Sequence, residues 1–165
     1  MATRVIANLV IGADGCTTLD GRSRGLSSAE DRTRFRALRS QADLLLIGAN
    51  TARHEPYRST PLPLIVVTHG QMPEEVSANP LAHVRSGDLS QIIHELDGVV
   101  LIEAGPQLLK KALEQKLVDE VFITQTNVVS GENCIDINSF FSGYKESARE
   151  AIGEEVFFTF VRALA

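Results

Sequence analysis

The sequence has no tryptophan, only two cysteines and four histidines, and no excess of positive charge. Cys16 and Cys134 match no paired metal-ligand spacing, and two thiols do not make a disulfide framework. The histidines show no metal-ligand spacing either, so we predict no metal site. The net charge of −5 argues against nucleic acid or an anionic membrane as the main partner, because both bind clustered lysine and arginine.

Long apolar runs are also missing. No stretch approaches the roughly 20 residues of a transmembrane helix. The apolar segment after Arg4 is broken by Asn8 and Gly12, which is not the pattern of a signal peptide. We therefore expect a soluble, cytoplasmic protein. The 165 residues, of which 44% are hydrophobic, predict a single domain over 1–165 with a substantial core.

Two segments share a plan in which an apolar run ends in a small-residue turn before a helical stretch. In the first, the run 44–47 leads into 48–51 (GANT), and in the second, the run 99–102 leads into 103–106 (EAGP). Glycine lets a backbone approach a ligand closely, and the N–H groups of a first helical turn carry a partial positive charge. Two such turns predict a site for a ligand with several phosphates, such as a dinucleotide. The alternative is that they are ordinary strand ends, since α/β folds place glycine at many of them.

Apolar runs alternate with helical patterns along the chain. The runs are continuous, as in strands that are covered on both faces. We predict strands at 4–12, 43–48, 64–68, 82–85, 99–103, 118–129 and 156–161, and helices at 28–41, from residue 50, at 88–96 and from residue 106. This order predicts an α/β fold of three layers, α/β/α, around a mixed but mostly parallel sheet. The last two strands should pair antiparallel, because no clear helix lies between them.

Other segments are less determined by their pattern. Ser27, with Glu30 three residues later, forms a capping-box pattern for the first helix. The four arginines within 32–39 are either the solvated face of that helix or a local basic pocket. Residues 13–25 and 130–153 are predicted as irregular excursions. The last strand is apolar on both faces, so it is either covered on both sides or packed at an oligomer interface.

Five motifs in order resemble the reductase domain of riboflavin biosynthesis, the pyrimidine reductase family that shares the dihydrofolate reductase fold. They are 8–15 (NLVIGADG), 18–28 (TLDGRSRGLSS), 36–51, 103–106 (EAGP) and 117–120 (LVDE). The resemblance implies a dihydrofolate reductase-like fold, NADPH as hydride donor and a homodimer. It implies as substrate a phosphoribosylamino pyrimidine whose ribosyl carbon is reduced. Many members carry a fused zinc deaminase, but its His-x-Glu and Pro-Cys-x-x-Cys motifs do not occur here, so we expect a stand-alone reductase.

The resemblance also indicates site residues. Asp14, directly after the first strand, is the catalytic candidate, which would orient the pyrimidine or pass a proton, and Asp20 is its rival. Cofactor contacts are expected at Gly48, Asn50, Thr51, Thr68, Gly105 and Pro106, and substrate contacts at Asn8, Glu55, Arg58 and Arg39. No acid follows the strand that ends at Thr68. This favours NADPH over NADH, because an acid there would bind the ribose 2′-hydroxyl.

Three positions depart from the family's pattern, namely Gly12 where serine is usual, and Pro56 and Ala104 where glycine is usual. If position 104 needs a positive φ, alanine there would cost about 1 kcal/mol. The departures keep two alternatives open. One is a dihydrofolate or dihydropterin reductase on the same fold, and the other is a nucleotide-binding dimer without catalysis.

Overall fold

The computed structural model describes residues 2–164 and is built around a sheet of eight strands. The strands in chain order are β1 Arg4–Ile11, β2 Cys16–Thr18, β3 Leu44–Gly48, β4 Leu64–Val67, β5 Ala82–Arg85, β6 Val99–Ile102, β7 Glu120–Gln125, β8 Glu132–Cys134, β9 Tyr144–Ile152 and β10 Glu155–Arg162. The helices are α1 Ala29–Gln41, α2 Ala49–His54, α3 Leu89–His94, α4 Pro106–Glu114 and α5 Ile137–Phe140, and a 3₁₀ turn spans Glu74–Val76.

The strand order in the sheet is β5-β4-β3-β6-β1-β7-β10-β9. The six strands from β5 to β7 run parallel, whereas β10 pairs antiparallel with both β7 and β9. The predicted α/β fold with a mixed, mostly parallel sheet is confirmed. The chain leaves β1, builds outward from β3 to β5, and returns with β6 between β3 and β1. Strand order therefore reverses at the centre of the sheet, where ligands of open α/β sheets bind beyond the carboxyl ends of the strands.

The strand β1 shows why the sheet has helices on both faces. Its alternate residues Val5, Leu9 and Ile11 belong to the core cluster that includes residues of α3 and α4. Ile6 points the other way, into the cluster formed with residues of α1 and α2. We call these two sides of the sheet the α4 face and the α1 face. Each face carries its own apolar core, which makes the three predicted layers.

The first helix begins one residue later than its capping pattern predicts. Ser28, and not Ser27, is the N-cap, and its Oγ accepts a hydrogen bond of 2.9 Å from the Asp31 N–H. The Ser27 hydroxyl instead donates to the Asp31 carboxylate over 2.6 Å. Ser28 also donates to Glu155 of β10 over 2.7 Å. The serine that caps the helix is thus the one that also bonds a residue 127 positions away along the chain.

The segment 130–153 is not the irregular excursion that its composition predicts, because it contains β8, α5 and β9. The strand β9 is a nine-residue edge strand, largely exposed and rich in charge. An edge strand is held by its backbone hydrogen bonds to a single neighbour, so it needs no apolar pattern, and charged side chains protect it from pairing with other chains. Likewise, β7 ends at Gln125, earlier than predicted, and the chain then turns toward the segment that follows β1.

Two of the four arginines of α1 point into the protein, so the solvated-face interpretation is wrong for them. The Arg34 guanidinium donates to the carbonyl oxygens of Ile123 and Phe158 at 3.1 and 3.0 Å, and it lies over two aromatic rings, those of Phe122 and Phe157. It therefore ties α1 to β7 and β10. The other inward arginine, Arg39, belongs to the candidate site and is described below.

Segment 13–25 contains the short strand β2, which pairs antiparallel with β8 in a separate two-stranded sheet. This register places Cys16 opposite Cys134, and the structure joins them by a disulfide. The composition indicated no such pairing, because 118 residues separate the two cysteines and only the long-range register brings them together.

Within residues 2–164, no helix combines the length and the apolar character that crossing a membrane requires. In the same part of the chain, no cluster of histidine, cysteine and acidic side chains is arranged to hold a metal ion.

Candidate functional site

The two small-residue turns lie side by side, because they follow the neighbouring parallel strands β3 and β6. They are also bonded to each other. The Gly105 N–H donates to the Thr51 hydroxyl over 3.1 Å, and Thr51 is buried. Thr51, in the first turn of α2, thus links that helix start to the turn before α4, where Pro106 opens the helix. Its hydroxyl oxygen accepts this bond, and the hydroxyl proton can still be donated to another acceptor.

The helices α2 and α4 differ from the others in how they begin. In α1, α3 and α5 a side-chain oxygen caps the first turn, from Ser28, Asp88 and Asp136 respectively. The N-caps of α2 and α4 are Gly48 and Gly105, and neither helix has a side-chain cap. The first N–H groups of a helix have no partner inside the helix. At these two adjacent helix starts they are directed beyond the sheet and are suited to bind an anion.

Glu103 is the first residue of the second turn, directly after β6, and only 2% of its side chain is exposed. Its carboxylate accepts two hydrogen bonds from Arg39, at 2.7 Å from Nε and 2.8 Å from Nη2, and one of 2.6 Å from the Tyr57 hydroxyl. The Arg39 guanidinium also lies over the ring of Phe35. Burial would lower the pKa of Arg39, but the hydrogen bonds and the charge of Glu103 outweigh it and raise that pKa.

In this arrangement two donors of Arg39, Nε and Nη2, are directed at a buried carboxylate. That Arg39 holds a substrate phosphate stays a prediction. Glu103 and Tyr57 were not predicted as site residues, although Glu103 stands in the EAGP motif. The sequence does contain a feature that points to Glu103, because it is a carboxylate directly after a fully apolar strand. A charge in that place requires a partner.

The buried phenol of Tyr57 leads to a prediction about alkaline pH. Burial, followed by the negative charge of Glu103, raises its pKa well above the ordinary value of 10.0. Between these two pKa values the unfolded chain has lost the proton that the folded chain keeps, so the folded state binds more protons. The free energy of unfolding should therefore be undiminished below about pH 9 and fall as the pH rises above about 10.

Urea unfolding of the wild type and of Tyr57→Phe across that pH range measures this effect. The phenylalanine variant should lose the larger part of the alkaline decline. Tyr144→Phe is the matched control, because Tyr144 is only half-buried and its pKa is raised less strongly. Equal pH dependence of wild type and Tyr57→Phe would contradict the assignment.

Three buried polar atoms lack a hydrogen-bond partner within the described residues, and all belong to the α1 side of the sheet. They are Oδ1 of Asn8, Oδ1 of Asp31 and Oγ1 of Thr124. Asn8 lies two residues after Ile6 on the α1 face of β1, whereas Asp31 is in the first turn of α1. Thr124 is completely buried, but Asn8 is only partly so. Of the three residues, Asn8 alone is partly exposed, although its Oδ1 atom is itself buried.

Asp14 is exposed, and both of its carboxylate oxygens accept backbone hydrogen bonds. The Ser130 N–H donates to Oδ2 over 2.8 Å and the Cys16 N–H to Oδ1 over 3.3 Å. The burial that a proton relay would require is absent, so the geometry suits an orienting role. Asp20 and Gly21 both have positive φ and connect Leu19 to Arg22, as the two central residues of a tight turn. Aspartate and glycine are common at these two turn positions, so the turn by itself explains why Asp20 stands there.

The departures at Gly12 and Ala104 have structural explanations. A Cβ at Gly12 would lie 2.5 Å from the carbonyl oxygen of Val128, so the serine usual in the family would not fit without moving that backbone. The φ of Ala104 is not positive, so alanine is unstrained there. Neither change by itself argues for a loss of function.

The remaining predicted residues are Asn50, Arg58, Thr68 and Glu55. Asn50 and Arg58 are exposed, and in the described part of the chain Arg58 makes no ion pair. Thr68 follows β4, and its hydroxyl accepts from the Gly70 N–H over 3.1 Å. Glu55 accepts a hydrogen bond of 2.7 Å from the Ser23 N–H, so it anchors the segment before α1.

A groove of about 700 Å³ lies elsewhere, on the α4 face beyond β7. Phe141, Phe158 and Phe160 form its apolar part, and Asp14 lies at its edge. No residue of either small-residue turn lines it. The groove leaves part of β10 open to solvent, so the interpretation of this strand as an oligomer interface stays a prediction.

Comparisons with known proteins place this geometry in a family. Residues 3–140 match the family model described as the RibD C-terminal domain. A search of curated protein sequences found no match. Among solved structures, RibD of Acinetobacter baumannii has a TM-score of 0.78 and 14% identity, with 98% of this chain and 58% of that chain covered. This chain therefore spans little more than half the length of that protein.

Two further structures have the same fold. One is a diaminohydroxyphosphoribosylaminopyrimidine deaminase/5-amino-6-(5-phosphoribosylamino)uracil reductase of Thermotoga maritima, with a TM-score of 0.67 and 18% identity over 97% of this chain and 56% of that one. The other is the dihydrofolate reductase of Enterococcus faecalis complexed with NADP(H), with a TM-score of 0.71 and 17% identity over 96% of each chain. These likenesses show a dihydrofolate reductase-like fold, and the match over 3–140 shows that the chain belongs to the RibD C-terminal domain family of riboflavin-pathway reductases.

Proposed function

We propose that this protein is an NADPH-dependent reductase that transfers a hydride to the ribosyl carbon of a phosphoribosylamino pyrimidine. The observation that carries the proposal is the pair of helix starts without side-chain caps, Gly48 of α2 and Gly105 of α4, side by side where the strand order reverses. Membership of the family and the uracil reductase activity for which the Thermotoga maritima relative is named support the reaction class.

The residues present fit a nicotinamide dinucleotide. The N–H groups in the first turn of α2, and those of α4 that follow Pro106, are suited to its pyrophosphate, and Asn50 is exposed in the first turn of α2. Thr68, followed by no acid, leaves room for a 2′-phosphate at the end of β4. When bound, NADPH supplies the hydride, and the protein supplies position and electrostatics.

The substrate side of the site is expected on the α1 face. Asn8 presents a carbonyl oxygen that no group in the described chain satisfies, which is suited to a donor on the pyrimidine edge. Arg58 is exposed and suited to hold the substrate phosphate. Asp14 follows the end of β1 at the edge of the α4-face groove, and we expect it to orient the substrate from that side. Hydride and a proton together convert the open-chain imine of the substrate to a ribitylamine.

Thermal unfolding with NADPH and with NADH tests the cofactor. At 100 times its Kd a ligand stabilises the folded state by about 2.7 kcal/mol, which raises the Tm by several degrees for a chain of this size. We expect a clear shift with NADPH and a much smaller one with NADH. Thr68→Glu should abolish the preference by repelling the 2′-phosphate, whereas the control Thr68→Gln, which adds the same bulk without the charge, should keep it.

Consumption of NADPH, followed at its absorbance with the phosphoribosylamino pyrimidine or with dihydrofolate, then tests the substrate. Turnover of the pyrimidine alone supports the proposal. Turnover of dihydrofolate, blocked by an antifolate, would assign the protein to the alternative reductase. Binding of NADPH with no turnover of either compound would favour a nucleotide-binding protein without catalysis.

A further inference from the structure

Two loops meet beside Asp14 and are bonded along their whole length. The first, which we call the Asp14 loop, covers 12–18 after β1, and the second, the 126–135 loop, follows β7. Backbone bonds join Ala13 N–H to the Val128 carbonyl at 2.8 Å and Ile135 N–H to the Gly15 carbonyl at 2.9 Å. The shorter of the two bonds to the carboxylate of Asp14 comes from Ser130. The position of Asp14 therefore depends on where the 126–135 loop lies.

The strand β8 is held mainly by its pairing with β2, whose own residues Cys16 and Thr17 are buried. The strands β2 and β8 have three residues each and form a sheet of their own, apart from the main sheet. All three residues of β8 are exposed. An isolated two-stranded pairing of this size is marginal in water. The covalent restraint is the disulfide between Cys16 and Cys134, which links the two strands of this pairing.

The two cysteines differ in accessibility. Cys16 is buried, with 2% of its surface exposed, whereas Cys134 is exposed at the end of β8. Thiol–disulfide exchange requires that a thiolate reach one sulfur of the bond. Of the two residues only Cys134 is exposed, so we expect attack at its Sγ, with Cys16 as the leaving group.

We propose that Cys16 and Cys134 form a reversible redox clasp that holds Asp14 in its working position. A dithiol reductant acts by attack of one thiolate on Cys134 Sγ, which breaks the bond to Cys16 and forms a mixed disulfide. The second thiolate of the reductant displaces Cys134, so the protein gains two electrons and two protons and the reductant becomes a disulfide. A disulfide oxidant such as oxidised glutathione reverses the exchange. In the reduced state the outer loops separate more often, and the bond from Ser130 to Asp14 is lost more often.

Hydrogen–deuterium exchange of the oxidised and dithiothreitol-reduced protein tests the clasp without relying on activity. Reduction should raise exchange about tenfold at the amides of 13–18 and 128–135, as expected for a pairing that opens locally. The amides of the turns 48–51 and 103–107 should not change. Titration of thiols in denaturant should count none per chain after oxidised glutathione and two after dithiothreitol. The double variant Cys16→Ser/Cys134→Ser is the matched control, which should behave like the reduced protein and ignore both reagents.

The effect on activity rests on the proposed function. If that function holds, reduction should lower kcat/KM for the pyrimidine about tenfold, the loss expected when an orienting contact is weakened, while the Tm shift with NADPH stays the same. A thiol count that remains two after oxidised glutathione, or identical exchange in both redox states, would overturn the clasp. Turnover that is present but equal in both states would overturn its role in positioning Asp14. Redox-dependent exchange with no turnover in either state would support the clasp as a loop restraint and count against the proposed function.

Discussion

Replacement of Glu103 by alanine should lower the free energy of unfolding by about 3–5 kcal/mol, the cost typical of breaking a buried ion pair from one side. The carboxylate accepts all three hydrogen bonds of its cluster, two from Arg39 and one from Tyr57. Its removal leaves a half-buried guanidinium and a buried hydroxyl without their partner. The loss is large compared with the roughly 5–15 kcal/mol by which domains of this kind are usually stable, on the order of a third of the total.

Chemical denaturation of Glu103→Ala and Glu103→Gln measures this loss in the free energy of unfolding. The glutamine variant should lose less, because its amide oxygen can still accept one hydrogen bond while the charge is gone. The informative control is the triple variant Arg39→Met/Tyr57→Phe/Glu103→Leu, in which apolar groups replace the whole cluster. It should recover most of the stability, because replacing a buried pair by apolar groups of similar volume is often nearly neutral. If Glu103→Ala lost less than about 1 kcal/mol, the cluster would count as an ordinary surface pair.

Recovered stability would not imply recovered function. Glu103 belongs to the second turn, two residues before Gly105, whose N–H bonds to Thr51. We expect the triple variant to fold yet to bind NADPH more weakly, since the spacing of the two helix starts depends on this turn. That outcome would separate the contribution of the cluster to stability from its contribution to the site.

Replacement of Asn8 by leucine should change stability and activity in opposite directions. The Oδ1 atom of Asn8 is buried without a partner, and such an atom costs about 1–3 kcal/mol. Leucine has nearly the same shape and no such atom, so the free protein should become more stable by about 1 kcal/mol. If Asn8 binds the pyrimidine edge, kcat/KM should fall at least about tenfold, the equivalent of one hydrogen bond lost from the bound substrate.

Thr124→Val is the matched control for Asn8→Leu. It also removes an unpartnered buried oxygen with little change of shape, but Thr124 is completely buried and out of reach of a ligand. It should therefore stabilise the protein and leave kcat/KM as it was. Two variants that both gain stability while only Asn8→Leu loses turnover would assign Asn8 to the substrate. If Asn8→Leu kept full turnover, that assignment would be wrong.

Local features of the sequence predicted the inner architecture well. The runs that begin at Leu44 and Val99 are continuous and apolar, and only a strand with two covered faces uses such a run efficiently. The turns after them follow from glycine at Gly48 and Gly105 and from Pro106, whose missing N–H suits the first position of a helix. These signals lie within a few residues of the elements that they specify, so they can be recognised from the sequence alone. The Gly turns, their places at strand ends and the mixed sheet could all be predicted from them.

The features that only the tertiary structure decided depend on partners far away in the sequence. Arg39 looks like a surface arginine until the fold brings Glu103 to it across 64 residues. Ser28 caps α1 while it is bonded to β10, and Cys16 meets Cys134 only through the register of two short strands. The edge strand β9 carries no apolar pattern, because backbone pairing with β10 holds it. A sequence by itself determines what each segment prefers, whereas which charge is buried beside which partner is decided by packing over the whole chain, because only there does a buried group find the bond that offsets its lost hydration.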